Sequence, residues 1–110
     1  MGMSTDAIAI FGWAYTGSDG DLEEKLEGIY KDYYGQPHNG IIVGKHCCDS
    51  EPYFFIAAEI ATCFRGSTES LQPLLSHDVQ EMTERLRAFC VDNGVEFLQP
   101  EFLLLVWADL

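Results

Sequence analysis

The chain has 110 residues, 47% apolar and 13% aromatic, a composition that excludes disorder and supplies a core for one domain. Eighteen acids against six bases give a formal charge of -12, with nine acids and three bases in each half of the chain. A charge of that sign repels nucleic-acid backbones and anionic membranes and attracts basic proteins, so neither direct nucleic-acid binding nor membrane association is expected.

Asp6–Tyr15 reads as the first strand, with Ala7, Ala9 and Phe11 on one face and Ile8 and Ile10 on the other. Gly12 interrupts it and marks a bulge or a close backbone approach. Thr16–Gly20 is a turn, after which Asp21 caps the first helix with Glu24 in the capping-box position. Leu22, Leu26, Ile29, Tyr30 and Tyr33 recur at helical spacing and form its apolar stripe, while Glu27 and Lys31 are spaced for a surface pair. Gly28 costs a helix interior about 1 kcal/mol relative to alanine, which points to close packing on a sheet. Gly35 is the expected terminator.

Gln36–Gly40 is a turn-rich loop, and Ile41–Cys47 reads as the second strand. A short link, Asp49–Pro52, leads into Tyr53–Phe64, the longest strand. A buried helix is the rival reading of this run; Pro52 and the aromatic and isoleucine content favour a strand. Strand periodicity puts Phe54, Ile56, Ala58, Ile60 and Thr62 on one face and Phe55, Ala57, Glu59, Ala61 and Cys63 on the other. Both faces are apolar except at Glu59, so both are expected to be covered in part. The length calls for a bulge or a frayed end. Pairing Cys47 with Phe54 would bring Cys63 near His38.

Arg65–Pro73 reads as loop. Either Ser76 or Asp78 caps the second helix, Asp78 gaining from Glu81 at its N3 position, and Val79, Met82, Leu86, Phe89 and Cys90 form the buried stripe. Asn93-Gly94 ends the helix, and Glu101–Ala108 is the last strand. Strand, helix, strand, strand, helix, strand is the order of the α+β ferredoxin-like split β-α-β sandwich. The expected fold is one domain over residues 1–110, a four-stranded antiparallel sheet with two helices on one face. The first and third strands are central and the second and fourth are edges.

Two helices shield one face of such a sheet, yet its strands are apolar on both. The open face is therefore expected to carry an exposed patch including Phe55, Leu103, Leu105 and Trp107. A second copy related by two-fold symmetry is the expected cover, with infolded loops as the alternative. Pairing along the last strand is a further route to association. Together with Asp21, Glu23, Glu24 and Glu27 on the first helix, this points to a dimeric acidic interaction protein. Such an inhibitor or adaptor would bind a basic protein, including a nucleic-acid-binding one if its carboxylates mimic phosphate spacing. The competing class is a small enzyme or ligand-binding protein with a pocket on the open sheet face around Glu59, Tyr53, Trp107, His46 and Cys48. A structural subunit of a larger assembly is the third.

No motif in the chain carries catalysis on its own, and no cofactor is expected. His46 and Cys48 share a strand face, but no third group in the sequence would activate a thiolate there. Lys45-His46-Cys47-Cys48-Asp49 lacks zinc-site spacing, so no metal is expected. Cys47, Cys48, Cys63 and Cys90 are expected to be reduced in a cytoplasmic protein, since the first residues do not read as a secretory leader. A lone carboxylate in an apolar strand must be paired or protonated. For Glu59 the structural reading is an ion pair with Lys45, Arg65 or a partner's arginine; the functional one is a general acid or base.

Overall fold

A computed structural model describes residues 4–15, 20–33, 36–46, 53–63, 66 and 68–109. The elements in chain order are β1 (Ser4–Tyr15), α1 (Gly20–Tyr33), β2 (Ile42–His46), β3 (Tyr53–Cys63), α2 (Gln72–Leu75), α3 (Val79–Asn93) and β4 (Glu101–Asp109). The sheet order is β2-β3-β1-β4, and every neighbouring pair is antiparallel. This is the ferredoxin-like split β-α-β arrangement, with the two longest strands at the centre.

The expected bulge lies where β1 meets β3. Phe11 pairs with Glu59 and Gly12 with Ala57, which leaves Ala58 as the extra residue on β3. Gly12 makes the kink possible, because a Cβ there would sit 1.9 Å from the Ile56 carbonyl oxygen. One extra residue reverses the alternation beyond it. Phe54, Ile56 and Ala58 belong to the core beneath the helices, while Phe55 and Ala57 belong to the opposite cluster. Past the bulge, Ile60 joins Phe55 and Ala57, and Glu59 turns toward α3. The uniform alternation expected for β3 is corrected accordingly: Ile60 and Glu59 exchange faces.

The main core joins Phe11, Trp13, Val43, Phe54 and Ile56 of the sheet to Leu26 of α1 and Met82, Leu86 and Cys90 of α3. Leu22, Ile29, Tyr30 and Phe89 pack around it, so most of both helical stripes faces inward as the spacing predicts. Tyr33 and Val79, at the ends of those stripes, are exposed instead. Phe97, from the segment before β4, meets Trp13 edge-on with ring centroids 5.7 Å apart.

Local chemistry explains the helix ends. Asp78 is the cap of α3, its Oδ1 accepting from the Gln80 and Glu81 backbone N–H groups. Gly94 closes the helix at φ 66, and Lys25 Nζ donates to its carbonyl at 3.0 Å. The one-turn α2, which was not expected, starts in the last two residues of the Arg65–Pro73 loop and runs past it; Pro73 stands in its first turn and Leu74 is buried. Asp21 lies inside the first turn of α1, not at its cap. Gly28 is exposed, and a Cβ added there would meet nothing within 4 Å, so the close packing expected of it is absent.

The reading of the open sheet face is corrected as well. Ile8, Ile10, Phe55 and Ala57 are buried within the single chain, ringed by half-buried Ile42, Ile60, Leu103 and Leu105. Phe55 lies across Gly44 of β2, where a Cβ would come within 2.4 Å of its ring. Phe55 is thus withdrawn from any surface. Among the described side chains of β4, the exposed apolar ones are Phe102 (42%) and Leu104 (67%), which pair with Phe11 and Ala9 on the helix-facing side.

Candidate functional site

Arg85 on α3 is the hub of the polar layer between helices and sheet. Its Nη1 donates to the Gly40 carbonyl at 2.8 Å and the Ala58 carbonyl at 3.1 Å, and its Nη2 donates to Glu59 Oε2 at 3.0 Å. Its Nε stands 3.0 Å from Glu81 Oε1 but off the hydrogen-bond direction. His77 Nε2 approaches the other Glu59 oxygen at 3.4 Å. Glu59 is therefore paired, as the desolvation argument requires. Its cation is Arg85, which was not among the partners expected from the sequence.

The residues proposed for a pocket do not converge. His46 pairs with Tyr53 at one end of the β2–β3 ladder, whereas Glu59 lies six residues further along β3, roughly 20 Å for an extended chain. Trp107 is opposite Asp6 on the other side of the sheet. Cys48 lies outside the described residues. The register placing Cys63 near His38 is also corrected: β2 pairs with β3 from Ile42↔Ala57 to His46↔Tyr53, and Cys63 is opposite Ala7. His38 instead stacks on Tyr33, centroids 4.1 Å apart.

The acidic residues proposed for α1 do share that helix, but not one fate. Glu27 Oε1 is bonded to Lys45 Nζ at 3.0 Å, in place of the expected pair with Lys31. Asp21, Glu23 and Glu24 have no ion-pair partner among the described residues, nor do Asp32 near the end of α1 and Asp92 near the end of α3. The cations are used internally: Lys25 on the Gly94 carbonyl, Lys45 on Glu27, Arg85 on Glu59 and Glu81, and Arg87 on Glu84. Lys31 is the one described base without such a contact.

Among the described residues, two clefts of similar size flank α1. One, of about 280 Å³, opens between α1, α3 and the turn at residues 38–41, lined by Ile29, Tyr33 and Phe89 and by the polar groups of Asp32, Asn39 and Asp92. A second of about 280 Å³ lies at the start of α1, between Asp21, Lys25, Tyr15 and Glu96. Tyr15 has its phenol pushed up to about 12, first by burial and then by the nearby Cys90 and Glu96. Burial likewise raises the Cys90 thiol, which sits in the core as a small apolar group. Among the described residues no cluster of histidine, cysteine and carboxylate side chains could hold a metal ion. No helix in them is long and apolar enough to cross a membrane. Comparison with family models, with curated proteins and with solved structures finds no match.

Proposed function

We propose that the protein is an acidic interaction module, an inhibitor or adaptor whose helical layer binds a basic protein surface. The observation that carries this reading is the distribution of pairing. Lys25, Lys45, Arg85 and Arg87 make polar contacts within the chain, while Asp21, Glu23, Glu24, Asp32 and Asp92, on or near the helix ends, have no ion-pair partner among the described residues. An uncompensated field of one sign steers oppositely charged partners and raises their association rate. A nucleic-acid-binding protein is the partner class whose basic surface best matches such a field.

A homodimer formed along β4 is the second part of the proposal. β4 is an edge with Leu104 and Phe102 exposed, and its acids, Glu101 and Asp109, stand only at its two ends. Antiparallel pairing centred on Leu104 would keep Glu101 and Asp109 of the two copies from facing each other; centring on Leu105 would oppose them.

The test is a salt series. Binding of a short polylysine, measured by calorimetry, should weaken steeply as salt rises. The triple variant Asp21→Asn, Glu23→Gln, Glu24→Gln should lose at least about fivefold in affinity at low salt. Equal affinity of parent and variant, or no binding at low salt, would overturn the reading.

A further inference from the structure

The cleft between α1, α3 and the 38–41 turn has a one-sided chemistry. Its donor of consequence, Arg85, is already committed: both guanidinium Nη atoms are bonded, to Gly40, Ala58 and Glu59. What remains there is richer in acceptors than in donors. Asp32 and Asp92 have no cation among the described residues. Asn93 donates its Nδ2 to the Phe89 carbonyl at 2.9 Å, which leaves its Oδ1 to accept. Asn39 spends its Nδ2 on His38 Nε2 at 3.3 Å, which leaves a second amide oxygen. Tyr33 Oη lies 3.2 Å from the same nitrogen, whose one ring position serves a single hydrogen bond at a time. The remaining walls are apolar or aromatic: Ile29, Phe89 and the Tyr33 ring.

An anion would meet two carboxylates here, and a neutral ligand would leave them uncompensated. A cation with several N–H donors and an apolar stem matches both the acceptors and the walls. Guanidinium fits better than ammonium, since it is planar, carries five donors and lies well against aromatic faces. A cavity of about 280 Å³ admits one such side chain, not a large cofactor.

We propose that this cleft receives a single arginine side chain of the basic partner, held by Asp32 and Asp92 with its stem against Phe89. The assignment rests on the acidic-module reading and gives it an anchor point. Steering belongs to Asp21, Glu23 and Glu24 at the far end of α1; specificity belongs to the cleft.

The test uses the full chain and follows the side-chain amide signals of Asn39 and Asn93 by NMR. The probes are acetyl-Gly-Arg-Gly-amide, the same peptide with citrulline in place of arginine, and agmatine. The arginine peptide should shift both amide signals saturably. The citrulline peptide, which keeps the shape and loses the charge, should bind at least about tenfold more weakly. The double variant Asp32→Asn, Asp92→Asn should lower arginine-peptide affinity at least about tenfold, a larger factor than the fall in its polylysine affinity. Both positions are exposed, so the variant should keep the parent's circular dichroism. Indistinguishable arginine and citrulline peptides, or an unchanged affinity in the double variant, would overturn the cleft assignment even if polylysine still binds. Agmatine, which has the guanidinium and its stem without a peptide, should bind as well; a cleft that binds the arginine peptide but not agmatine would overturn the assignment of the contact to the side chain. Loss of polylysine binding in the parent would instead sink the acidic-module reading itself.

Discussion

Glu59 Oε2 accepts a hydrogen bond from Arg85 Nη2 at 3.0 Å, across the gap between β3 and α3. The bulge at Ala58 makes that bond possible by turning Glu59 to the helix side. Arg85 also holds two backbone carbonyls, so the two partners are not equivalent in energy. Arg85→Met should destabilise the fold by about 2–4 kcal/mol, because it strands a carboxylate and the Gly40 and Ala58 oxygens together. Glu59→Gln keeps a hydrogen-bond acceptor and should cost about 1 kcal/mol. Urea midpoints at constant slope would measure both; equal costs would contradict the hub.

Two glycines should respond in opposite directions to the same methyl group. Gly12→Ala places a Cβ 1.9 Å from the Ile56 carbonyl oxygen, a backbone atom that cannot step aside. It should cost more than about 4 kcal/mol or abolish folding. Gly28→Ala meets nothing within 4 Å on an exposed helix face and should stabilise the protein by about 1 kcal/mol. Thermal unfolding of the two variants checks both signs at once.

Tyr15 should mark the alkaline limit of stability. Burial, with Cys90 and Glu96 nearby, raises its folded-state pKa from 10.0 to about 12. The neutral phenol is thus favoured in the fold. Its contribution is complete below pH 10, and is lost as the pH rises toward 12 because the unfolded chain ionises first. The raised Cys90 thiol acts in the same direction. Tyr15→Phe should flatten the fall in unfolding free energy over that window, and should remove a late-titrating component from the tyrosinate absorbance.

The β4 edge should respond to charge. Leu104→Lys places a cation in the middle of the strand, the device by which natural edges avoid pairing. Light scattering should give a dimer mass for the parent and a monomer mass for the variant, with unchanged circular dichroism. A parent that stays monomeric at high concentration and moderate salt would remove the dimer from the account.

Much of this fold was legible because its signals are local. Leu26 and Met82 fall on helical periods, Asp78 and Gly94 bracket α3, and the strand order fixes β1 and β3 as the central pair. Glu59 was misread because period-2 reasoning carries no information on where an extra residue enters; Gly12 hinted at it without giving the partner position. Glu27 found Lys45 across the helix–strand contact, a pairing that local spacing cannot reveal. Phe55 was expected at the surface because its shelter comes from Gly44 on a neighbouring strand and from Ile8 and Ile10 on β1. The α1–α3 cleft was missed altogether. Asp32 and Asp92 are sixty residues apart in sequence, and only the helix packing puts them on one cavity.

The most direct test of the acidic helical layer is an amide chemical-shift map of the labelled protein as a short polylysine is added at low salt and then at high salt. Shifts should concentrate along α1 and the C-terminal half of α3, and fade as salt is added. Shifts confined to β2 and the Phe55 side of the sheet, or a pattern that salt leaves unchanged, would contradict it.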